Sequence, residues 1–254
     1  MRPLDPPSAS RPEAASSEAR VSEFFDPKFV TFDCYGTLTW FQINAVTQDL
    51  LGDRLPGDPA AFLATFKWYR YDEVMGDWKP YRQIIRDALR RAMTRHRLAY
   101  DEAAADAIYE AIGTWGPHPD VPAGLSALAE RYPLVILSNA ADDQIPGNVA
   151  QLGAPFHAVI TAQQARAYKP RLAAFEHMLE RLGVGVDEIV HVSASLRYDL
   201  MPAHDLGIAN KVYVNRGYEP SVPYYGYREI GSIAELPGLF GIDTAAQVAA
   251  ADRR

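Results

Sequence analysis

The hydrophobic pattern changes period twice along the chain. The uncharged run Phe29-Val30-Thr31-Phe32 ends on Asp33, with Gly36 and Thr37 close behind. A short apolar, β-branched and aromatic run bounded by a turn signal predicts a buried strand that presents a carboxylate at its carboxyl end. After Trp40 the period becomes helical. Ile43, Val46, Leu50 and Leu51 recur on one face up to the breakers Gly52-Asp53 and Pro56-Gly57. A second amphipathic segment covers about 59–75. In a third, Tyr81, Ile84, Ile85, Ala88, Leu89, Ala92 and Met93 form one stripe, with Arg82, Arg86, Arg90 and Arg91 largely off it. Those arginines read as a solvated face. A fourth segment spans about 101–112, and no strand pattern interrupts the stretch from Phe41 to Trp115.

From Pro122 the period alternates. The order is helix to Arg131, strand 134–137, helix 144–152, strand 158–160, helix 172–182, strand 189–192, helix 202–206 and strand 211–214. Strands alternating with helices predict a parallel sheet with helices on both faces. The expected organisation is a core domain from 23–40 and 116–242, with an all-helical cap, 41–115, inserted after the first strand. Residues 1–22, rich in Pro, Ala, Ser, Arg and Glu, read as a disordered tail without the apolar centre of a signal peptide. The Tyr-, Pro- and Gly-rich stretch from Gly217 is expected to cover the core before a last short helix at 232–236. A loose tail, 243–254, follows. No internal repeat is present.

Composition narrows the function classes. The chain has 254 residues, is 48% hydrophobic and carries a formal net charge of −7, which leaves no basic surplus for phosphate backbones and argues against nucleic-acid binding. No run is long and apolar enough to span a bilayer. A single cysteine, Cys34, excludes an internal disulfide and suits a reducing, cytoplasmic setting; the thiol itself reads as a small buried hydrophobe. The six histidines show no metal-ligand spacing, so His118, His191 and His204 read as structural or solvated. The nucleophile elbow, the phosphate-binding loop and a complete Gly-x-Gly-x-x-Gly are all absent.

In a parallel sheet every strand delivers its carboxyl end to one edge, where open α/β sheets bind ligands. Those ends supply Asp33, then Ser138-Asn139, then the loop to Lys169-Pro170, then Ser193 to Asp199. Each alone has a bland reading: a capping Asp, a capping Ser-Asn, a solvated Lys-Pro. Together, in this order, they resemble the four signatures of the haloacid dehalogenase superfamily, beginning with the strand followed by Asp33-Cys34-Tyr35-Gly36-Thr37-Leu38. The resemblance covers about 29–216 and implies a Rossmann-like α/β core with an inserted helical cap.

The chemistry of these side chains is coherent in its own right. Asp33 is positioned as a nucleophile that forms a covalent intermediate on carbon or phosphorus, and Lys169 keeps it ionised. Thr37, Ser138 and Asn139 supply hydrogen bonds to the carboxylate or to a substrate oxyanion, and Asp199 orients Lys169 or the attacking water. Metal-dependent phosphatases of the superfamily carry acids where this chain has Tyr35 and Ala194, so a Mg²⁺ cage is short of oxygen ligands. Tyr35 resembles instead the metal-free type II 2-haloacid dehalogenases, and neither metal nor cofactor is expected.

Departures from that pattern fall on the leaving-group half. The halide-binding Arg of those dehalogenases aligns at Phe62-Leu63, and the nearest cations are Lys67 and Arg70. Their Tyr six residues after the lysine is Phe175, their Asn two after the Ser of the fourth signature is Ser195, and Tyr198 stands for their pocket Trp. Substrate contacts are therefore expected from Tyr35, Tyr81, Lys67, Arg70, Ser193, Ser195 and Tyr198. The expected activity is hydrolysis of a small 2-haloacid to a 2-hydroxy acid through an aspartyl ester. Ring opening of a strained cyclic amino acid such as azetidine-2-carboxylate, phosphatase activity and a non-catalytic binding module are the alternatives. The expected partner is a small carboxylate substrate, with a homodimer left open.

Overall fold

The computed structural model describes residues 26–55 and 57–242; the expected tails, residues 23–25 and Pro56 lie outside the described residues. Six strands, β1 (Phe29–Phe32), β2 (Leu134–Ser138), β3 (Ala158–Thr161), β4 (Ile189–Ser193), β5 (Lys211–Val214) and β6 (Arg228–Ile230), form one parallel sheet in the order β3-β2-β1-β4-β5-β6. The chain fills one side of β1 first and then crosses to the other. The topological switch point therefore lies between β1 and β4, so Asp33 and the segment after Ser193 share the crevice in which such sheets bind ligands.

Pleating sends alternate side chains to opposite faces. Val30, Phe32, Ile136, Val192 and Val212 pack on α5 (Val121–Ala129) and on Ile233, Leu236 and Phe240, the last three from a 3₁₀ turn, α10 (Leu236–Leu239) and the residue beyond it. Val135, Leu137, Ile160 and Ile189 pack on Phe175 and Met178 of α8 (Leu172–Leu182). Short helices α6 (Ile145–Val149), α7 (Ala162–Ala165) and α9 (Met201–Asp205) fill the connections.

The segment after Gly217 does more than cover the core. It adds the edge strand β6, whose Arg228 and Glu229 are exposed while Ile230 is buried. Three residues are too few for a period-2 signal, which is why the pattern shows no strand there. The four-residue α7 escapes the pattern for the same reason.

Between β1 and β2 lie α1 (Ile43–Leu51), α2 (Pro59–Met75), α3 (Tyr81–Arg95) and α4 (Glu102–Ile112). Asp58 and Asp101 cap α2 and α4 by accepting from the backbone N–H of Ala60 and Ala104. These helices bury their own apolar cluster, including Phe62, Phe66, Ile85, Leu89, Ile108 and Ile112. The arginine face of α3 is not simply solvated. Arg86 meets Asp106 at 2.7 Å, Arg82 meets Glu110 at 2.5 Å and Arg91 meets Glu73 at 2.5 Å. Such half-exposed pairs contribute only about 0–1 kcal/mol each, but they fix which helices are neighbours.

Contacts on both flanks hold the helices over the carboxyl edge of the sheet. Arg166 stacks 3.5 Å from the Trp78 ring centroid, the Tyr168 hydroxyl donates to the Lys79 carbonyl at 2.7 Å, and Arg171 donates to the Met75 carbonyl at 3.0 Å. On the other flank Arg197 lies over Trp68 and Tyr71 of α2 at 5.0 and 4.6 Å.

Candidate active site

Asp33 leaves the end of β1 with both carboxylate oxygens engaged. Oδ1 accepts from Lys169 Nζ at 2.8 Å, and Oδ2 accepts from Thr37 Oγ1 at 2.7 Å. Thr37 is itself fixed by the Ala194 N–H, which donates to its oxygen at 2.9 Å. Lys169 is 1% exposed and donates three bonds: to Asp33, to Asp199 Oδ1 at 2.7 Å and to the Leu137 carbonyl at 2.8 Å. Three donated protons require the ammonium form. Asn139 clamps the backbone of this lysine, accepting from its N–H at 2.7 Å and donating to its carbonyl at 2.9 Å.

Asp199 lies in a π-helical turn, Leu196–Leu200, a local irregularity frequent at functional sites. Ser195 caps that turn by accepting from the Tyr198 N–H at 3.1 Å. Asp199 Oδ1 meets both Lys169 and His191 Nε2, the latter at 3.1 Å, whereas its buried Oδ2 has no hydrogen-bond partner among the described residues. Behind it, His191 Nδ1 lies 2.8 Å from Thr31 Oγ1. Thr31, His191 and Asp199 thus resemble a hydroxyl–imidazole–carboxylate array. Thr31 is fully buried in β1, however, and serves as backing for the acid.

The electrostatics separate the two carboxylates. Burial pushes Asp33 above the usual carboxylate range, against the pull of Lys169, with the Asp199 charge adding to the rise. Burial also acts on Asp199, but Lys169 and His191 together hold it below that range. Burial disfavours the Lys169 ammonium, yet Asp199 and Asp33 outweigh it and raise its pKa. Asp33 is therefore the more readily protonated of the two acids. Burial, reinforced by the Asp33 charge, pushes the neighbouring Cys34 thiol well up, which suits a packing role.

Above these groups is a cavity of about 90 Å³, walled by Asp33, Asn139, Lys169, Ser195, Tyr198 and Asp199 from the core and by Arg70, Val74, Tyr81 and Ile112 from the helices, with Tyr35 and Phe41 at the junction. Arg70 is 7% exposed, its guanidinium 4.9 Å from the centroid of Phe66 and 5.6 Å from that of Phe41. Against the effect of burial, its charge pulls down the pKa of the neighbouring Tyr81 phenol, and among the described residues its Nε has no partner and it pairs with no carboxylate. A desolvated guanidinium facing a cavity is built to receive an anion.

The polar groups of the other expected contacts are engaged within the protein or lie outside the inner cavity. The Tyr35 hydroxyl donates to Asn148 Oδ1 at 2.9 Å, and Asn148 donates onward to the carbonyls of Ile112 and Trp115. The phenol is thus a strut between core and helices, and burial pushes its pKa far up. Ser138 Oγ accepts from the Ala140 N–H and Ser193 Oγ from the Ser195 N–H, so both hydroxyls hold loops. Lys67 is exposed and lines outer spaces, away from the inner cavity. His191 is the group the spacing argument missed. Its signal was a lone imidazole inside the apolar run of β4. Among the described residues no three His, Cys, Asp or Glu side chains converge as metal ligands.

A parallel sheet with a helical cover over an acid–lysine–acid array defines a doubly wound α/β enzyme. The model of the haloacid dehalogenase-like hydrolases matches residues 27–207, and the chain belongs to that family. It is 30% identical over 193 residues to the (S)-2-haloacid dehalogenase of Xanthobacter autotrophicus, covering 72% of this chain and 73% of that protein. It is 29% identical over 176 residues to haloacetate dehalogenase H-2 of Moraxella sp. (strain B), covering 65% and 76%. The solved L-2-haloacid dehalogenase from Xanthobacter autotrophicus with chloropropionic acid covalently bound has the same fold, with a TM-score of 0.68 at 24% identity over 84% of this chain and 98% of that one.

Proposed function

We propose that the protein hydrolyses 2-halo acids to 2-hydroxy acids, with Asp33 as the nucleophile. The observation that carries this reading is the bonded array Asp33–Lys169–Asp199 on the floor of a cavity whose roof holds the unpaired Arg70. Asp33 attacks C2 while the carbon–halogen electron pair leaves with the halide, which the Arg70 guanidinium receives. The product of this step is an ester between C2 and Asp33.

Water then attacks the ester carbonyl carbon. Asp199 Oδ2, the carboxylate oxygen with no partner, accepts a proton from that water. The Asp33 oxygen that is not esterified becomes the tetrahedral oxyanion, held by its existing donor, Lys169 on Oδ1 or Thr37 on Oδ2. Collapse returns the Asp33 carboxylate and releases the 2-hydroxy acid. Of the two water protons, one ends on the product hydroxyl and one in solvent. Halide departure needs no proton, which agrees with the engagement of the Tyr35 hydroxyl by Asn148; opening a ring amine would need one.

The test is a single turnover of 2-chloropropanoate in ¹⁸O-water. Label is expected in Asp33, because the product oxygen comes from the enzyme carboxylate. Label mainly in the product would mean direct attack by water and would remove the proposal.

A further inference from the structure

The inner cavity of about 90 Å³ is smaller than the roughly 150 Å³ cavity that encloses a benzene ring. It takes the reacting carbon, a carboxylate and a halide, and excludes a bulky side chain. The cavity does not end there. Tyr35, Phe41, Arg70, Ser195 and Tyr198 also wall a second space of about 260 Å³. Lys67, Tyr198, Tyr218 and Glu219 are common to that space and a third of about 610 Å³, within the roughly 300–1,000 Å³ range of ligand pockets.

The outermost space is framed by aromatic rings. Trp68 and Tyr218 are each 47% exposed and line the same opening, and exposed rings that are grouped rather than scattered mark a binding surface. Tyr71 packs edge-on against Tyr198 at 5.5 Å, so the aromatic wall runs unbroken from the mouth to the inner cavity. Glu219 is fixed at its edge, where its carboxylate accepts from the backbone N–H groups of Leu196 and Arg197.

We propose that the two outer spaces form a side-chain subsite and that the preferred substrate is a 2-halo acid bearing an aryl group, as in a 2-halo-3-arylpropanoate. The ring lies among Trp68, Tyr71 and Tyr218 while C2 reaches Asp33 past Tyr198. This rests on the reading of the site as a 2-halo acid hydrolase. The competing role for the same rings is mechanical: Arg197 over Trp68 and Tyr71 latches α2 to the core.

Chloride release from 2-chloro-3-phenylpropanoate and 2-chloropropanoate, in wild type, Trp68→Ala and Tyr218→Ala, separates the two roles. Binding of the unreactive 3-phenylpropanoate and propanoate is measured alongside by calorimetry. Wild type is expected to favour the phenyl substrate in kcat/KM by at least about tenfold, and each substitution to lower that substrate by about 10–100-fold while changing the methyl substrate less than about threefold. Equal losses for both substrates would assign the rings to the latch and overturn the subsite. Turnover of 2-chloropropanoate without preferential binding of 3-phenylpropanoate would also overturn it and leave the reaction standing. No chloride from either substrate, with tight 3-phenylpropanoate binding lost in Trp68→Ala, would sustain the subsite and remove the reaction.

Discussion

The floor and the roof of the cavity treat charge in opposite ways. On the floor, Asp33 has both oxygens bonded, Lys169 donates three hydrogen bonds, and only Asp199 Oδ2 is open. On the roof, the Arg70 guanidinium faces aromatic rings and one phenol and has no counterion among the described residues. Arginine stays protonated in proteins, so its burial is an uncompensated cost of several kcal/mol before an anion arrives. Arg82, Arg86 and Arg91 on α3 show the contrasting arrangement, each half-exposed and each beside a carboxylate. In the proposed reaction the floor is preorganised for the charge that develops. The roof is completed only by what binds.

Breaking the floor has the largest expected effect. Lys169→Met leaves Asp33 and Asp199 facing each other in a buried site. Turnover is expected to fall at least about 10³-fold, since a single preorganised donor contributes roughly 10²–10³, and stability to urea to drop by about 3–5 kcal/mol. The pH dependence has a definite sign. Asp199 is held below its ordinary value, so its stabilisation is present above about pH 3.9 and is lost as pH falls through its folded pKa. Lys169 is raised, so its stabilisation is full below about pH 10.4 and is lost as pH rises through its folded pKa. The acid limb of kcat/KM follows Asp33 and lies above 3.8; Lys169→Met moves it higher still. A variant with wild-type stability and an unmoved acid limb would show that the floor is not one electrostatic unit.

Breaking the roof separates activity from stability. A charged hydrogen bond contributes about 1.5–3 kcal/mol, so Arg70→Met is expected to lower kcat on 2-chloropropanoate by about 10–150-fold. Thermal stability should hold or rise, because a buried cation without a partner is replaced by an apolar chain among Phe41 and Phe66. Lys67→Met, on the exposed rim, is the control and should leave kcat nearly unchanged. Loss of stability together with activity in Arg70→Met would place the arginine with the floor, as a structural group.

The floor was largely legible in the sequence and the roof only in part, for physical reasons. Asp33, Lys169 and Asp199 each follow a buried run or a turn signal, and a parallel sheet must bring such ends to one edge. Arg70 and Lys67 were both expected toward the substrate, but no pattern chose between them. The burial of Arg70 depends on Phe41 from the loop before α1 and on the way α2 lies across the sheet. His191 meets Asp199 eight residues on and Thr31 one strand away, through the register of β1 against β4. Ser138 and Ser193 matched a signature, yet a serine after a strand readily satisfies a nearby N–H, and both do. The paired arginines of α3 became visible only once α2 and α4 were its neighbours.

Tyr35 lies where floor and roof meet, and of the groups walling the inner cavity that are substituted it has the smallest expected effect on rate. Its hydroxyl donates to Asn148, and Asn148 reaches the carbonyls that end α4 and follow it. Tyr35→Phe removes that bond and leaves a buried amide oxygen unsatisfied, which costs about 1–3 kcal/mol of stability. The chemistry at C2 loses no proton donor by this change, so kcat for a halide substrate should fall less than about fivefold, well short of the roughly 10²–10⁴-fold that removal of a general acid costs. The joint measurement is an unfolding curve and a saturating rate on the same preparation. A stable variant with a crippled rate would turn the assignment around: the phenol would then serve a leaving atom that must be protonated, and the unpaired Arg70 would hold the substrate carboxylate in place of a halide.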